Sequence, residues 1–283
     1  MTATTPLTED QERMLIETAR EAARLHIMPR FRQLDADAVT AKSAADDLVT
    51  IADQEAERHM AAAIAAALPG ARIVGEEAAE DDPSLVGQLA EAPLAVIIDP
   101  VDGTWNFAHG LATFGVILAV TVRGAPVFGL LYDPVLDDWV LARKGGGAWF
   151  CRPGAAPRRL TMPAQPSPAT GGFLPLRLFP AVAQARLASE LITGTRTNAL
   201  GCACHEYRMM AMGHGRYMFG VGPKPWDHAA GTLAVTEAGG MVAMLDGSPY
   251  DPSSRKGVLL SAQSPAIFAE LQTGLGWLSE GEA

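Results

Sequence analysis

The chain is short of positive charge, of cysteine and of long apolar runs, and each shortage excludes a class of function. Lys and Arg number 22 against 32 Asp and Glu, a formal net charge of −10. A nucleic-acid binder needs a basic stripe to displace condensed counterions, and no stretch here supplies one. Cysteine occurs three times, at Cys151, Cys202 and Cys204. An odd number without framework spacing speaks against a disulfide scaffold and for a reducing, cytoplasmic setting. The longest apolar stretches, such as FGVILAVTV at 114–122, are too short to span a bilayer. The opening MTATTPLTEDQERM has neither the basic region nor the apolar core of a signal peptide. These absences predict a soluble cytoplasmic protein with no nucleic-acid or membrane partner.

What is present suits an enzyme. The 283 residues, 48% hydrophobic and 19% charged, suffice for one large domain or two smaller ones with a real core. Thr8 followed by Glu9 and Asp10 caps a helical pattern running to about Phe31. A second helix runs from near Asp53 to the stop at Pro69-Gly70. ARIVGEE (71–77) and PLAVIIDP (93–100) read as strands, the second buried and stopped by Asp99-Pro100. FGVILAVTVRGAPVFGLLYDP predicts two strands about a Gly-Ala-Pro turn, and DDWVLARKGGGAWF a hairpin. Beyond Arg158 helices and strands alternate. The expectation is a mixed α/β (α+β) chain of two sub-domains, 1–155 and 156–283, joined near the linker-like RPGAAPRR.

The carboxylates fall at the ends of these elements. Glu76 and Glu77 follow one apolar strand, Asp99 and Asp102 another, while Asp53 and Asp227 open helices. DPVDGT alone is equally a capped surface turn; Asp53 has a plain alternative as a helix N-cap, but VTIAD before it favours the catalytic role. Carboxylates gathered without matching Lys or Arg repel one another unless protons or cations intervene. An oxygen-only set points to a hard ion such as Mg²⁺. Pro100 restricts Asp99 to an extended conformation, and Gly103 with Thr104 offers amides and a hydroxyl to a phosphate. Metal and phosphate together suggest phosphoryl transfer to water. Glu77 reads as a neighbour rather than a ligand. Cys202-x-Cys204 with His205 lacks a fourth zinc ligand at sensible spacing and reads as buried thiols. His109, His214 and His228 read as structural or exposed.

In order, GEE (75–77), DPVDGTWNF (99–107) and PWDHAAG (225–231) resemble the inositol monophosphatase family of Mg²⁺-dependent, lithium-sensitive phosphatases. DDLVTIAD (46–53) and TEAGG (236–240) extend the likeness over roughly residues 8–265. The resemblance implies a layered α-β-α-β-α sandwich, two or three Mg²⁺ ions per site and a homodimer. It implies that Glu76, Asp99 and the carbonyl of Val101 bind a first metal, and Asp99, Asp102 and Asp227 a second. Asp53 with Thr104 would activate the attacking water, a weaker third ion would sit near Glu76, and the amides of Gly103 and Thr104 would hold the phosphate of a small phosphorylated substrate.

The pocket for the alcohol departs from the family pattern. Inositol-selective members carry a substrate-binding glutamate seven residues before the Trp-Asp aspartate, where this chain has Gly220. The segment Gly201, Cys202, Ala203 aligns with one that touches the substrate ring, with Cys202 in a hydroxyl position. Lys224 in KPWD favours a more acidic substrate. The expected activity is a phosphomonoesterase for a small polyol, sugar or amino-alcohol phosphate. Histidinol phosphate, a sugar bisphosphate such as fructose bisphosphate, and a 3′-phosphoadenosine nucleotide are the alternatives. A catalytically silent regulatory or binding dimer would show loss of a ligand, and Glu76, Asp99, Asp102 and Asp227 are all present.

Overall fold

The computed structural model describes residues 7–34, 39–41, 48–163, 171–191 and 196–280. Helix α1 (Glu9–Ala22) begins with a reciprocal cap, the Thr8 hydroxyl accepting from Gln11 N and Gln11 Oε1 from Thr8 N. It stops short of Phe31 as a regular helix. A π turn (Ala23–Ile27) and a 3-10 turn (Met28–Arg30) finish it, because Pro29 has no N–H to continue the α ladder. Strands β1 (Val39–Ala41) and β2 (Leu48–Thr50) pair antiparallel and lead into α2 (Ile51–Ala67). Asp46 and Asp47 of the DDLVTIAD segment lie outside the described residues.

Next come β3 (Arg72–Gly75), α3 (Glu76–Asp81), α4 (Ser84–Gly87), β4 (Ala95–Asp102) and α5 (Thr104–Ala108). They are followed by β5 (Gly115–Val122), β6 (Ala125–Asp133), β7 (Asp138–Arg143), β8 (Gly147–Cys151) and β9 (Arg158–Leu160). Strands β3 to β9 form one seven-stranded sheet in chain order, with β3 and β4 parallel and the rest antiparallel. The β5–β6 turn is Arg123-Gly124, both at positive φ, rather than the expected Gly-Ala-Pro. Two left-handed residues match the twist of a hairpin, and Pro126 sits within β6 at a register shift that tolerates its missing donor.

The remaining elements are β10 (Gly172–Phe173), α6 (Ala181–Leu191), β11 (Thr197–Asn198), α7 (Ala203–Ala211), β12 (Tyr217–Val221) and α8 (Pro225–Glu237). Then come β13 (Met241–Met244), β14 (Val258–Ala262), α9 (Pro265–Leu275) and α10 (Trp277–Glu280). Their strands make a mixed five-stranded sheet in the order β11-β10-β12-β14-β13.

Period-two alternation decides the layers. Val96, Ile98, Val116, Leu118 and Val120 face α1 and α2, while Ile97, Ile117 and Ala119 face α7 and α8. The far side of α7 and α8 meets Phe173 and Met218 of the second sheet. That sheet turns Tyr217, Phe219 and Leu260 to α6 and α9. The result is the α-β-α-β-α sandwich that the family resemblance implies. Helix α8 lies between both sheets and is buried on nearly every side, which is why its sequence is apolar all round rather than striped. Gly129 admits it: a Cβ there would stand 2.8 Å from the Ala230 carbonyl.

Candidate active site

The site is assembled from the ends of α2, β3, β4, α7 and α8. Thr50 caps α2, and Asp53 at its third position accepts the Thr50 amide at 2.9 Å and the Thr50 hydroxyl. The second Asp53 oxygen lies 3.1 Å from Thr104 Oγ. Thr50 is the N-cap of α2, so Asp53 completes the cap from the third helical position rather than serving as the N-cap itself, and its other oxygen is a partner of Thr104. Thr104 Oγ also lies 2.9 Å from the Val101 carbonyl. A hydroxyl has one proton, so it donates to only one of these oxygens at a time.

Strand β4 does not stop at Asp99 but runs to Asp102 through a register shift between those residues. The shift brings both aspartates to one end of the sheet. Gly103 follows at φ +85, in the left-handed region, with the Thr113 carbonyl and Cys202 Cβ 3.0 and 3.1 Å from where a Cβ would stand. Carboxylate oxygens of Asp99, Asp102 and Asp227 all lie within 4.8 Å of one another. Burial, then Glu76, Asp102, Asp227 and Asp53, push the Asp99 carboxyl well above its usual range. Burial and Asp227 push Asp102 up to about 7, against hydrogen bonds from Cys202 and the amides of Cys204 and Ala203. Three clustered carboxylates, offering only oxygen, fit a hard divalent cation that would relieve their repulsion.

Glu76 is buried at the start of α3, with Oε1 3.8 Å from Lys224 Nζ. Lys224 also reaches Glu80 at 3.7 Å and caps α8 immediately before Pro225. Cys202 is buried, its Sγ 3.0 Å from Asp102 Oδ2, and Ala203 begins α7. Gly201, at φ +63, precedes them. At Gly220 the space of a side chain is filled, since a Cβ would stand 2.6 Å from the His228 imidazole. Glu77 lends its backbone amide to Glu57. His109 stacks on Trp105 and His205 reaches the Phe114 carbonyl, while His228 is buried.

Two residues that hold the site have no place in the motif reading. Glu57, one turn after Asp53 on α2, accepts the Glu77 and Ala78 amides at 2.9 and 3.0 Å and so fixes the first turn of α3. Gly75 leaves room for it, because a Cβ would stand 2.1 Å from the Glu57 carboxyl carbon. The Asp53–Glu57 spacing of four was the available signal, placing both on one helix face. Asn106, inside DPVDGTWNF, donates from Nδ2 to the Thr113 and Leu200 carbonyls at 2.8 Å each. It ties the turn after β4 to the loop before α7.

The inositol monophosphatase family model matches residues 9–274. An inositol-1-monophosphatase of Bacillus subtilis is 31% identical over 230 residues, 81% of this chain and 83% of its own length. A Thermotoga maritima protein described as fructose-1,6-bisphosphatase/inositol-1-monophosphatase is 29% identical over 220 residues, covering 77% and 80%. A solved Thermotoga maritima IMPase superposes with a TM-score of 0.78 at 27% identity, covering 96% of this chain and 98% of that one.

Proposed function

This chain belongs to the inositol monophosphatase family, and from that premise we propose that it is a Mg²⁺-dependent phosphomonoesterase acting on a small polyol, sugar or amino-alcohol phosphate. The observation that supports this most is the meeting of Asp99, Asp102 and Asp227 within 4.8 Å beside the Asp53–Thr104 pair. In this reading Glu76, Asp99 and the Val101 carbonyl hold one Mg²⁺, and Asp99, Asp102 and Asp227 a second, with a weaker third near Glu76. When bound, the ions supply Lewis acidity, making a water easier to deprotonate and offsetting charge on the phosphate oxygens.

The protein's own groups do the rest. Thr104 Oγ takes a proton from the attacking water as it gives its own to Asp53 Oδ1, which the contact of 3.1 Å permits. The Val101 carbonyl competes for that hydroxyl proton at 2.9 Å until it is engaged elsewhere. The amides of Gly103 and Thr104 hold the phosphate. Gly201, Cys202, Ala203, Gly220 and Lys224 border the alcohol, and the ammonium of Lys224 biases the choice towards a substrate with further negative charge. Residues 1–155 supply Asp53, Glu76, Asp99, Asp102 and Thr104 as one sub-domain, and 156–283 supply Asp227 and the substrate border as the other. Among the described residues no helix is long and apolar enough to cross a membrane, and the chain works as a cytoplasmic homodimer. Sedimentation at twice the 29.8 kDa chain mass checks the dimer, and a monomer sinks it.

Phosphate release from a panel of inositol, histidinol, sugar and nucleotide phosphates, with Mg²⁺ and with EDTA, tests the function. Release from at least one that needs Mg²⁺ is expected, with acidic sugar phosphates ahead of inositol phosphate. Release untouched by EDTA, or none from any substrate, overturns the reading.

A further inference from the structure

The two helices that meet at the carboxylates are joined by a buried hydrogen bond that the proposed chemistry does not use. Tyr207 on α7 and His228 on α8 are both buried, and the Tyr207 hydroxyl lies 2.9 Å from His228 Nδ1. Their rings meet edge to face with centroids 5.7 Å apart. Each ring fills space that a glycine leaves open. A Cβ at Gly231 would stand 2.1 Å from the Tyr207 ring, and one at Gly220 would stand 2.6 Å from the imidazole. Backbone on α8 and on β12 is thus fitted to this one pair.

The pair sits next to both ends of the carboxylate cluster. The first turn of α7 holds Asp102 through the Cys204 amide and the Cys202 thiol, and Tyr207 follows one turn later. The first turn of α8 carries Asp227, and His228 is the next residue. A slip of α7 along α8 therefore shifts the donors that hold the Asp102 carboxylate relative to Asp227. Apolar packing keeps two helices side by side but is weakly directional, whereas a buried hydrogen bond between two close-packed rings tolerates little change in length or angle.

We propose that the Tyr207–His228 hydrogen bond is a positioning device for the cation centre. It fixes the first turns of α7 and α8 so that Asp102 and Asp227 stay near enough to share one ion. The inference rests on reading those two aspartates as ligands. Tyr207 and His228 touch neither substrate nor ion in this account and act through the helices.

Mn²⁺ titration of the full-length protein, followed by the paramagnetic resonance of free Mn²⁺, tests it, with melting in EDTA alongside. Tyr207→Phe keeps the ring and removes the bond, and its Mn²⁺ affinity falls roughly tenfold, as for other residues that orient metal ligands. The double variant Tyr207→Phe/His228→Leu removes both partners of this bond, so its melting temperature recovers towards wild type while its affinity stays weak. His228→Asn keeps a hydrogen-bonding group near the Nδ1 position and keeps the affinity. Wild-type affinity in Tyr207→Phe or in the double variant overturns the proposal, leaving the pair a packing contact. Asp227→Asn separates the two readings. If it binds Mn²⁺ as wild type does, the ligand assignment itself is wrong; if it loses a site while Tyr207→Phe binds normally, only the positioning role fails.

Discussion

At Gly75 a single added methyl group meets the Glu57 carboxyl at 2.1 Å, and that carboxyl holds the two amides that open α3. Gly75→Ala is expected to lower stability by about 1–3 kcal/mol in urea melts, the range for overpacking a closed site. It should also displace Glu76 and weaken Mg²⁺-dependent turnover more than the stability loss accounts for. Unchanged melts and turnover would mean that Glu57 moves aside freely. The residue scale is also where the sequence was least legible. Glu76, Asp99 and Asp102 announce themselves because carboxylates after apolar strands are conspicuous, and Asp227 because it opens a helix in the Trp-Asp motif. Glu57 does not, since an acid at that spacing on a helix reads as a solvated face until the fold buries it. Gly220 reads as a missing acceptor in sequence, and in the fold the buried His228 imidazole packs against it where a Cβ would stand, so the position is closed by packing rather than left open to an acceptor.

Helix α7 carries one buried acid, Glu206, whose titration reports on the whole element. Burial pushes the Glu206 carboxyl up to about 8, partly offset by the Leu200 and Gly201 amides that it holds. The ordinary value, 4.5, applies to the unfolded chain. Between the two the native state keeps a proton that the unfolded state has lost, so stability falls as pH rises through that window. Glu206→Gln is expected to flatten the decline between pH 5 and pH 8 by at least about 1 kcal/mol relative to wild type, a shift of one pKa unit being worth that much. Parallel declines in urea melts would show that Glu206 is already ionised in the native state. The existence of strands was legible where apolar runs were long, as in β4 to β6, but their ends were less so. Ends were hidden where chemistry local to a few residues intervened: Pro29 ends α1 early, and the register shift carries β4 on to Asp102. Helix α9 had a plain start signal in Ser264-Pro265, the Ser264 hydroxyl accepting the Ile267 amide, although its apolar pattern is modest.

Over the whole molecule, the sandwich concentrates buried acids where its layers meet, and this should cost stability in the absence of a cation. In EDTA near neutral pH, Asp99→Asn is expected to melt at or above wild type, because it removes one of the mutually repelling carboxylates. Mg²⁺ should raise the melting temperature of wild type and leave that of the variant nearly unmoved. A variant that melts well below wild type in EDTA would mean that Asp99 holds the fold together rather than the ion. The layer order was legible in advance only through the family resemblance. Composition and periodicity alone gave two sub-domains and no stacking order, because which face of α8 meets which sheet is decided by contacts far apart in sequence. The most direct test of the account is phosphate release by Asp99→Asn beside wild type in saturating Mg²⁺, on whichever substrate wild type prefers. Turnover at least about a thousandfold lower is expected in a protein that remains folded, on the scale of removing a group that stabilises transition-state charge; activity within tenfold of wild type would rule out Asp99 as a ligand of the reacting centre.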